Sequence, residues 1–493
     1  MSVAHPLPTE EQTSAKPEVT LLRGLSLTDS VLLMVGGVIG SGIFLTAAPI
    51  ANAVHKPLYF LAIWIVGALI SLLACFAFAE MAAMYPEAGG QYVFLREAYG
   101  DFPAFLYGWM MFTVGQSGTI AALAVGFAEY FGRLFPSAAA HAPLATLWRF
   151  TLTRGDLSSV LAIAVLCTLN VLGLKRGSTL VNIATWAKFA AIGLFVVLGL
   201  TIGRGSWANY GVSLPFDRPA SLPQMISGFG VALIAVFWAF DGWVYVTFVA
   251  GEVKNPQRTL PRSLLIGILI VAAVYISVSV MYLYALPVTQ VAKEATIAEA
   301  AAASMFSPRA ARMLAAVIAL SCFGAASCAI LCGARISYAM ARDGAFFQSM
   351  ARVHPRYRTP AFSLVALSAW ACVLALSGSF DQLYTYVMFM MVLSYGVSVG
   401  GLFLLRRKHP HAERPYRCTG YPYLPALYIF FALAWALNSV VTRTRETGIG
   451  ILLVLLGAPF YVFWKRRGAT ISSENQQPHA RDLTTANRQQ PTR

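Results

Sequence analysis

The sequence predicts an all-α integral membrane protein, because its composition and its charge pattern do not fit a soluble domain. Hydrophobic residues make up 58% of the 493-residue chain and charged residues only 12%, whereas about a quarter of a soluble domain is charged. The net charge of +15 comes from short clusters of Lys and Arg between long apolar runs, a pattern typical of membrane loops. We therefore expect the lipid bilayer to surround the chain, and we expect no nucleic acid partner.

Twelve segments are long and apolar enough to be predicted as transmembrane helices. A bilayer core about 30 Å thick is crossed by about 20 apolar helical residues, and charged residues, Pro and Gly separate the segments that meet this condition. The fourth and ninth segments are the shortest. The predicted spans are Ser26–Ala48, Leu58–Ala83, Phe102–Phe131, Ser159–Leu174, Leu180–Ile202, Met225–Glu252, Leu264–Leu286, Met313–Met340, Phe362–Leu376, Leu383–Leu405, Leu424–Val441 and Ile449–Trp464.

The distribution of basic residues predicts that both termini are cytoplasmic. Lys and Arg accumulate in cytoplasmic loops because their translocation is unfavourable. With the amino terminus inside, the inside segments carry two thirds of the 36 Lys and Arg residues. The tail beyond Gly468 is rich in Gln, Asn, Ser, Thr and Arg, so we expect a disordered cytoplasmic end.

The first span contains a glycine-rich run that predicts an interruption of the helix. Residues 36–42 read Gly-Gly-Val-Ile-Gly-Ser-Gly, and each Gly weakens a helix interior by about 1 kcal/mol relative to Ala. Unpaired backbone groups are tolerated at membrane depth only where they line a protein-walled cavity. The alternative is close packing between helices through the small residues Gly36 and Gly40. This run alone leaves both interpretations open.

The sixth span contains a second anomaly. Asp241 and Gly242 lie among aromatic residues in the segment Phe237–Trp243, and an acid inside a span is usually functional. Spans one and six are five apart, so interruptions at corresponding positions are typical of two inverted five-helix repeats. Broken helices offer N–H groups to an anion and carbonyl groups to a cation. This pair of breaks therefore favours a binding site for a zwitterion.

Lys188 lies in the middle of the fifth span. A central Lys costs roughly 2.5 to 3.5 kcal/mol to insert, so it needs a partner such as the carbonyl groups of a broken helix, or it must lose its proton. Snorkelling to an interface is the alternative, but at least eight residues of helix separate Lys188 from either end of the span. We expect Lys188 to point inward.

Several stretches together resemble the amino acid, polyamine and organocation (APC) superfamily and, within it, the L-type amino acid transporter family and its bacterial relatives. The resemblance spans residues 22–465. It is carried by Gly36–Phe44, Phe78–Met81, Gly89–Tyr92, Trp238–Trp243, Gly251–Arg262, Leu320–Gly324, Ala341–Gly344 and Arg414–Tyr416.

The resemblance implies a LeuT-type fold with two inverted repeats of five helices and two extra helices. The first repeat would occupy residues 23–203, the second residues 222–406, and the extra helices residues 422–466. An amino-terminal tail of residues 1–22 and a carboxy-terminal tail of residues 467–493 would flank them.

The resemblance also implies the positions of a substrate site. The substrate carboxylate is expected at the N–H groups around Gly40, Ser41 and Gly42, and the substrate ammonium at the carbonyl groups of Val38, Trp238 and Asp241. Trp238 is the expected outer gate, and Lys188 occupies the place where sodium-coupled relatives hold a cation. The remaining predicted site residues are Ile39, Gly242 and Val244.

Animal members of the family carry a cysteine between helices three and four that bonds a partner glycoprotein. This sequence has no cysteine between Gly132 and Leu157, so we expect a bacterial-type transporter without a disulfide-linked heavy subunit. The seven cysteines predict no disulfide framework. No cofactor or metal site is predicted, and no catalytic constellation indicates an enzyme.

The sequence thus predicts a secondary transporter in the inner (plasma) membrane that moves L-amino acids, with neutral ones preferred, by alternating access. We expect a sodium-independent exchanger or facilitator. Two alternatives remain: a proton-coupled amino acid symporter, and an amino-acid-gated channel or receptor. The sequence leaves open which side chains are accepted, and whether Asp241 contacts the substrate.

Overall fold

The computed structural model describes residues 21, 23–147, 150–215, 222–377, 380–442 and 444–464. The predicted tails, residues 1–22 apart from Leu21 and residues 467–493, lie outside the described residues. The described chain is mostly helical. Its α-helices are α1 (Leu27–Val38), α2 (Gly42–Leu45), α3 (Ala47–Val54), α4 (Pro57–Met84), α5 (Gln91–Tyr99), α6 (Asp101–Met110), α7 (Gln116–Leu134), α8 (Arg154–Val171), α9 (Leu174–Thr201), α10 (Leu222–Phe240), α11 (Tyr245–Phe248), α12 (Pro256–Ala285), α13 (Val288–Val291), α14 (Ile297–Met305), α15 (Pro308–Arg342), α16 (Ala361–Ala375), α17 (Phe380–Lys408), α18 (Tyr423–Thr442) and α19 (Thr444–Leu455).

Ten helical segments in the described part of the chain are long and apolar enough to cross a membrane. They coincide with ten of the predicted spans. The sixth and ninth predicted spans correspond to two shorter apolar helical segments, Gln224–Phe240 and Ala361–Ala375. Membrane crossing by these two segments stays a prediction.

The expectation of an all-α chain is wrong in one loop. Strands β1 (Pro143–Leu147) and β2 (Phe150–Thr153) form an antiparallel hairpin between α7 and α8, with Leu147 opposite Phe150 and Pro143 opposite Thr153. Thr and Phe in these strands favour extended structure, but the segment is too short to give a clear periodic signal. The short helices α5, α13 and α14 between the spans are further elements that the span prediction does not contain.

Helix α15 lies at the centre of the bundle and packs against α7, α9 and α1. Most of its residues from Ala325 to Ala341 are buried, and many of them are Ala, Gly, Ser or Cys. Small side chains let neighbouring helix backbones approach closely in a membrane. The buried face of α15 therefore supports the interrupted first span, which packs directly on it.

The two ends of the bundle differ. We call the end that carries β1 and β2 the hairpin end, and the opposite end, where the described chain begins, the amino-terminal end. At the amino-terminal end the N–H groups of Gly24 and Leu25 donate to the carbonyl oxygen of Glu252, at 2.9 and 3.0 Å. The N–H of Lys254 donates to the carbonyl oxygen of Leu25 at 2.9 Å. The chain before α1 is thereby tied to the segment that follows α11.

The third span contains a π-helical turn, Met111–Gly115, between α6 and α7. Such a turn accommodates one extra residue without ending the helix. Here α6, the π turn and α7 form one continuous span from Asp101 to Leu134.

Candidate functional site

The first span is interrupted where the sequence predicts it. Helix α1 ends at Val38, Ile39 leaves helical geometry with φ −75° and ψ 79°, and α2 begins at Gly42. The N–H of Gly40 donates to the carbonyl oxygen of Val38 at 2.8 Å, which closes a tight turn. The residues between the two helices are buried.

Side chains from three other helices satisfy the carbonyl end of α1. Lys188 Nζ from α9 donates to the carbonyl oxygens of Gly36 at 2.8 Å and Ile39 at 2.6 Å. Ser321 Oγ from α15 donates to the Ile39 oxygen at 3.0 Å, and the Tyr275 hydroxyl from α12 lies 3.0 Å from the Val38 oxygen. Carbonyl groups at a helix end lack intrahelical partners, and an unsatisfied one at membrane depth is unfavourable. Side chains of the surrounding helices therefore stabilise the break.

Lys188 points inward, as predicted, since only 1% of its surface is exposed. Its two carbonyl contacts are those of a cation at the negative end of a helix dipole. Snorkelling is thereby excluded for this lysine.

The sixth span is interrupted within the segment where the sequence predicts it. Helix α10 ends at Phe240 and α11 begins at Tyr245. Gly242 has φ +98°, a conformation that residues with a Cβ rarely adopt. The N–H of Tyr245 donates to the Gly242 oxygen at 3.0 Å, and that of Asp241 donates to the Trp238 oxygen at 3.3 Å. Gly242 thus permits the turn that separates the two half-helices.

The side chain of Asp241 faces α17 and α4. Its Oδ1 accepts a hydrogen bond from the Tyr395 hydroxyl at 2.6 Å, and its buried Oδ2 has no partner among the described residues. A small cavity of about 20 Å³ lies beside it, lined also by Ser71, Tyr395 and Tyr428. This volume is enough for one water molecule.

The two interruptions contact each other through their backbones. A Cβ added to Gly42 would lie 2.4 Å from Ala239 Cα, and a Cβ added to Gly242 would lie 3.2 Å from the carbonyl carbon of Gly37. Trp238 Nε1 donates to Ser41 Oγ at 3.4 Å. A Cβ added to Gly36 would lie 2.3 Å from Thr185 Oγ1, and one added to Gly40 2.7 Å from Leu123 Cδ2, so the glycines allow close helix packing as well as the break.

Tyr275 joins the two interruptions. Its hydroxyl lies 2.7 Å from the carbonyl oxygen of Ala239 as well as 3.0 Å from that of Val38. Its ring makes edge contacts with Trp64 and Phe240, at centroid distances of 5.4 and 5.1 Å. One side chain of α12 thus holds the carbonyl ends of both half-helices.

The fold brings all the predicted site residues into one region. Val38, Ile39, Gly40, Ser41 and Gly42 form the first break, Trp238, Asp241, Gly242 and Val244 form the second, and Lys188 caps the first.

Three residues of this region, Tyr275, Ser321 and Tyr395, have contacts that the sequence does not indicate. Ser321 lies within Leu320–Gly324, a stretch that carries the family resemblance, but no role was assigned to it. Tyr275 and Tyr395 are single hydroxyl-bearing residues in apolar spans, and nothing in their spacing indicates their partners.

Comparison with known proteins identifies the family to which the chain belongs. Residues 25–459 match the family described as amino acid permease. The chain is 29% identical to the serine/threonine exchanger SteT of Bacillus subtilis, over 93% of this chain and 99% of that protein. It is 27% identical to the human cystine/glutamate transporter, over 93% of this chain and 88% of that protein. It is also 27% identical to the human b(0,+)-type amino acid transporter 1, over 91% and 89% of the two chains. The chain belongs to the amino acid permease family, within the APC superfamily.

Proposed function

We propose that this amino acid transporter is a sodium-independent exchanger of neutral L-amino acids that works by alternating access. The observation that carries the proposal is the contact between two interrupted spans, one of which has its carbonyl end capped by Lys188. The matched relatives are named as exchangers or transporters of amino acids, which supports the reaction class.

The substrate zwitterion would bind across both breaks. The N–H groups at the start of α2, at Ser41 and Gly42, have no carbonyl one turn earlier in the same helix, and they suit the α-carboxylate. The carbonyl groups of Trp238 and Asp241 would accept from the ammonium. The Val38 oxygen lies 3.0 Å from the Tyr275 hydroxyl, but a carbonyl has two lone pairs and can also accept from the ammonium.

Sodium independence follows from the position of Lys188. Its Nζ is bonded to two of the carbonyl oxygens that a cation at the end of α1 would need. A sodium ion at this position would be repelled by the charged Lys188 side chain and would have to compete with it for the same carbonyl oxygens.

Alternating access requires that substrate binds one state better than the other. A zwitterion held by both breaks stabilises the state in which they are together. In the proposed cycle Trp238 is the gate towards the hairpin end, because its indole N–H already reaches Ser41 across the gap.

The proposed architecture is twelve spans in a LeuT-type arrangement, with inverted repeats at residues 23–203 and 222–406 and extra helices at residues 422–466. The proposed orientation puts both termini in the cytoplasm and the hairpin outside the inner (plasma) membrane. All seven cysteines are free, and the proposed transporter works without a disulfide-linked heavy subunit.

The test is counterflow in proteoliposomes. Purified protein is reconstituted in vesicles loaded with unlabelled neutral amino acid, and entry of labelled amino acid is followed with sodium or with choline outside. We expect transient, saturable accumulation of the label that is equal in both media and absent from vesicles without internal amino acid. Dependence on sodium would contradict the proposal, and a conductance far above carrier rates would favour a channel instead.

Proton-coupled uptake is the second candidate, and Asp241 is the observation that favours it. Its buried Oδ2 without a described partner lies beside a cavity large enough for one water molecule, and this arrangement could hold a proton. Uptake into vesicles without internal amino acid, with and without an imposed pH gradient, separates the candidates. Accumulation driven by the pH gradient alone would favour proton symport over exchange.

A further inference from the structure

A second cavity lies at the hairpin end, about 840 Å³ in volume. Its walls come from four parts of the chain: the α2–α3 segment, the end of α7, the loop before β1 and the start of α14. We call it the hairpin-end cavity. It is lined by Leu45, Ala48, Pro49, Glu129, Arg133, residues 139–142 and Thr296, among others.

Two opposite charges lie on one wall of this cavity. Glu129 and Arg133 are four residues apart on α7, so their side chains leave the same face of the helix. Glu129 is 26% exposed, and its Oε1 lies 3.2 Å from Nε2 of His141, which is 88% exposed. Arg133 forms no ion pair with any residue that the structure describes. The rest of the lining consists largely of Ala, Pro and Leu.

The cavity begins one helical turn beyond the two breaks. A Cβ added to Gly126 of α7 would lie 3.1 Å from Ser41 Cβ and 3.3 Å from Leu45 Cδ1. Leu45, in the cavity lining, is four residues after Ser41, or about 6 Å along a helix. Glu129 is one turn beyond Gly126 on α7. The charged wall therefore lies directly beyond the Trp238–Ser41 contact.

Backbone hydrogen bonds hold the facing wall in place. The N–H of Gly155 donates to the Ala140 oxygen at 3.1 Å, and the N–H of Arg154 donates to the Ala142 oxygen at 2.9 Å. A Cβ added to Gly132 would lie 2.8 Å from the Ala140 nitrogen, so the loop packs tightly on the end of α7. The wall is anchored at the ends of both α7 and α8.

We propose that the hairpin-end cavity is a second binding site for the transported amino acid, occupied before the central site on entry from outside. This inference rests on the proposed function and orientation. Arg133 binds the α-carboxylate, and Glu129 binds the ammonium, which displaces His141. The Ala, Pro and Leu side chains contact an uncharged side chain. A molecule with both charges and a neutral side chain is complementary to this wall.

Equilibrium binding to purified protein in lipid nanodiscs tests the proposal. The probe is labelled L-threonine, with L-leucine as a second probe. The background is Gly42→Val, because the added side chain fills the contact between the two breaks and blocks the central site. We expect two bound molecules per wild-type chain and one per Gly42→Val chain. Adding Glu129→Gln and Arg133→Gln to Gly42→Val should abolish the remaining binding.

Transport kinetics give an independent measurement. In an otherwise wild-type chain, Glu129→Gln should raise the KM for uptake from the hairpin end about tenfold, as expected when a charged hydrogen bond is lost. The KM for efflux from the opposite end should not change. Arg204→Gln is the matched control, since it removes an exposed charge at the hairpin end from a residue outside the cavity lining, and it should leave both KM values unchanged.

Two outcomes would overturn the inference: one bound molecule per wild-type chain, or binding in Gly42→Val that survives the loss of both charges. Either outcome with intact counterflow leaves the proposed function standing. Loss of counterflow in the wild-type protein would instead refute the proposed function.

Discussion

Lys188 caps the end of α1, and in the proposed function it also fills a position that a cation could take. The substitution Lys188→Ala removes the lysine donor from the Gly36 carbonyl and leaves the Ile39 carbonyl with the Ser321 hydroxyl alone, and a buried group that loses its partner costs about 1 to 3 kcal/mol. We expect exchange in proteoliposomes to fall at least ~10-fold because the break no longer keeps its geometry. Lys56→Ala, at an exposed lysine, is the control. Exchange at the wild-type rate would show that transport does not depend on the contacts of Lys188 with the end of α1.

Gly42 permits the closest approach of the two interrupted spans. We expect Gly42→Val to abolish transport, because its side chain would collide with the backbone and side chain of Ala239. Uptake and the amount of inserted protein are measured together. Gly193→Val is the matched control, since a Cβ at Gly193 meets nothing within 4 Å. Normal uptake by Gly42→Val would argue against a substrate site at this contact.

Tyr275 can be tested by removing one atom. Tyr275→Phe keeps the ring contacts with Trp64 and Phe240 but removes the hydroxyl that lies between the Val38 and Ala239 oxygens. A hydrogen bond contributes about 1 kcal/mol net, so we expect turnover to fall about fivefold. Tyr210→Phe, which loses a single bond to the Val280 oxygen away from the site, should transport normally. Equal turnover in both variants would contradict a coupling role for Tyr275.

At the scale of elements, a buried ion pair joins α15 to the segment after α11 at the amino-terminal end. Arg335 Nε and Nη2 donate to the two carboxylate oxygens of Glu252 at 2.8 and 3.1 Å, and both side chains are at most 1% exposed. Glu252 also receives the N–H groups of Gly24 and Leu25 on its carbonyl oxygen. One residue therefore links α15, the segment after α11 and the chain before α1.

We expect Arg335→Met to lower the thermal stability of the protein, because it leaves a buried carboxylate without a partner, at about 3 to 5 kcal/mol. The double variant Arg335→Met, Glu252→Gln should recover part of that loss. Thermal unfolding in detergent should rank Tm as wild type, then double variant, then single variant. Arg96→Gln breaks a more exposed set of ion pairs at the same end and should change Tm little. A single variant as stable as the wild type would contradict this account.

The interruptions of the spans and the inward position of Lys188 were predictable from the sequence, whereas the other side chains that complete the interruptions were not. Four glycines within residues 36–42 and an acid within Phe237–Trp243 are rare in a span and carry a clear signal. Ser321 carries none, because a serine hydroxyl in an apolar helix can also bond to a carbonyl of its own helix, and Tyr275 carries none, because a single Tyr in an apolar span is also explained by the packing of its ring. Their partners depend on tertiary packing.

At the scale of the whole molecule, the long spans were predictable because bilayer thickness sets the length of the apolar segment that crosses it. The hairpin of β1 and β2 and the short helices α5, α13 and α14 were not, because their segments are short and their structure depends on the bundle ends.

The proposed orientation gives a prediction for the whole molecule. Thr146 in β1 and His411 between α17 and α18 are both exposed, at opposite ends of the bundle. In intact cells, Thr146→Cys should react with a membrane-impermeant maleimide, and His411→Cys should react only after permeabilisation. The unsubstituted protein is the control, since six of its seven cysteines are buried and Cys372 is half-buried. The reverse pattern would invert the orientation.

The π-helical turn at Met111–Gly115 fixes which residues of the third span face inward beyond it. Each residue turns an α-helix by about 100°, so the extra residue determines the direction in which the side chains from Gln116 to Arg133 leave the helix axis. Deleting one residue from the turn would restore regular winding and swing Glu129 and Arg133 by that angle, away from the space they now border. A single-residue deletion more than one helical turn from either charge would thus move both charges away from the hairpin-end cavity without replacing either residue.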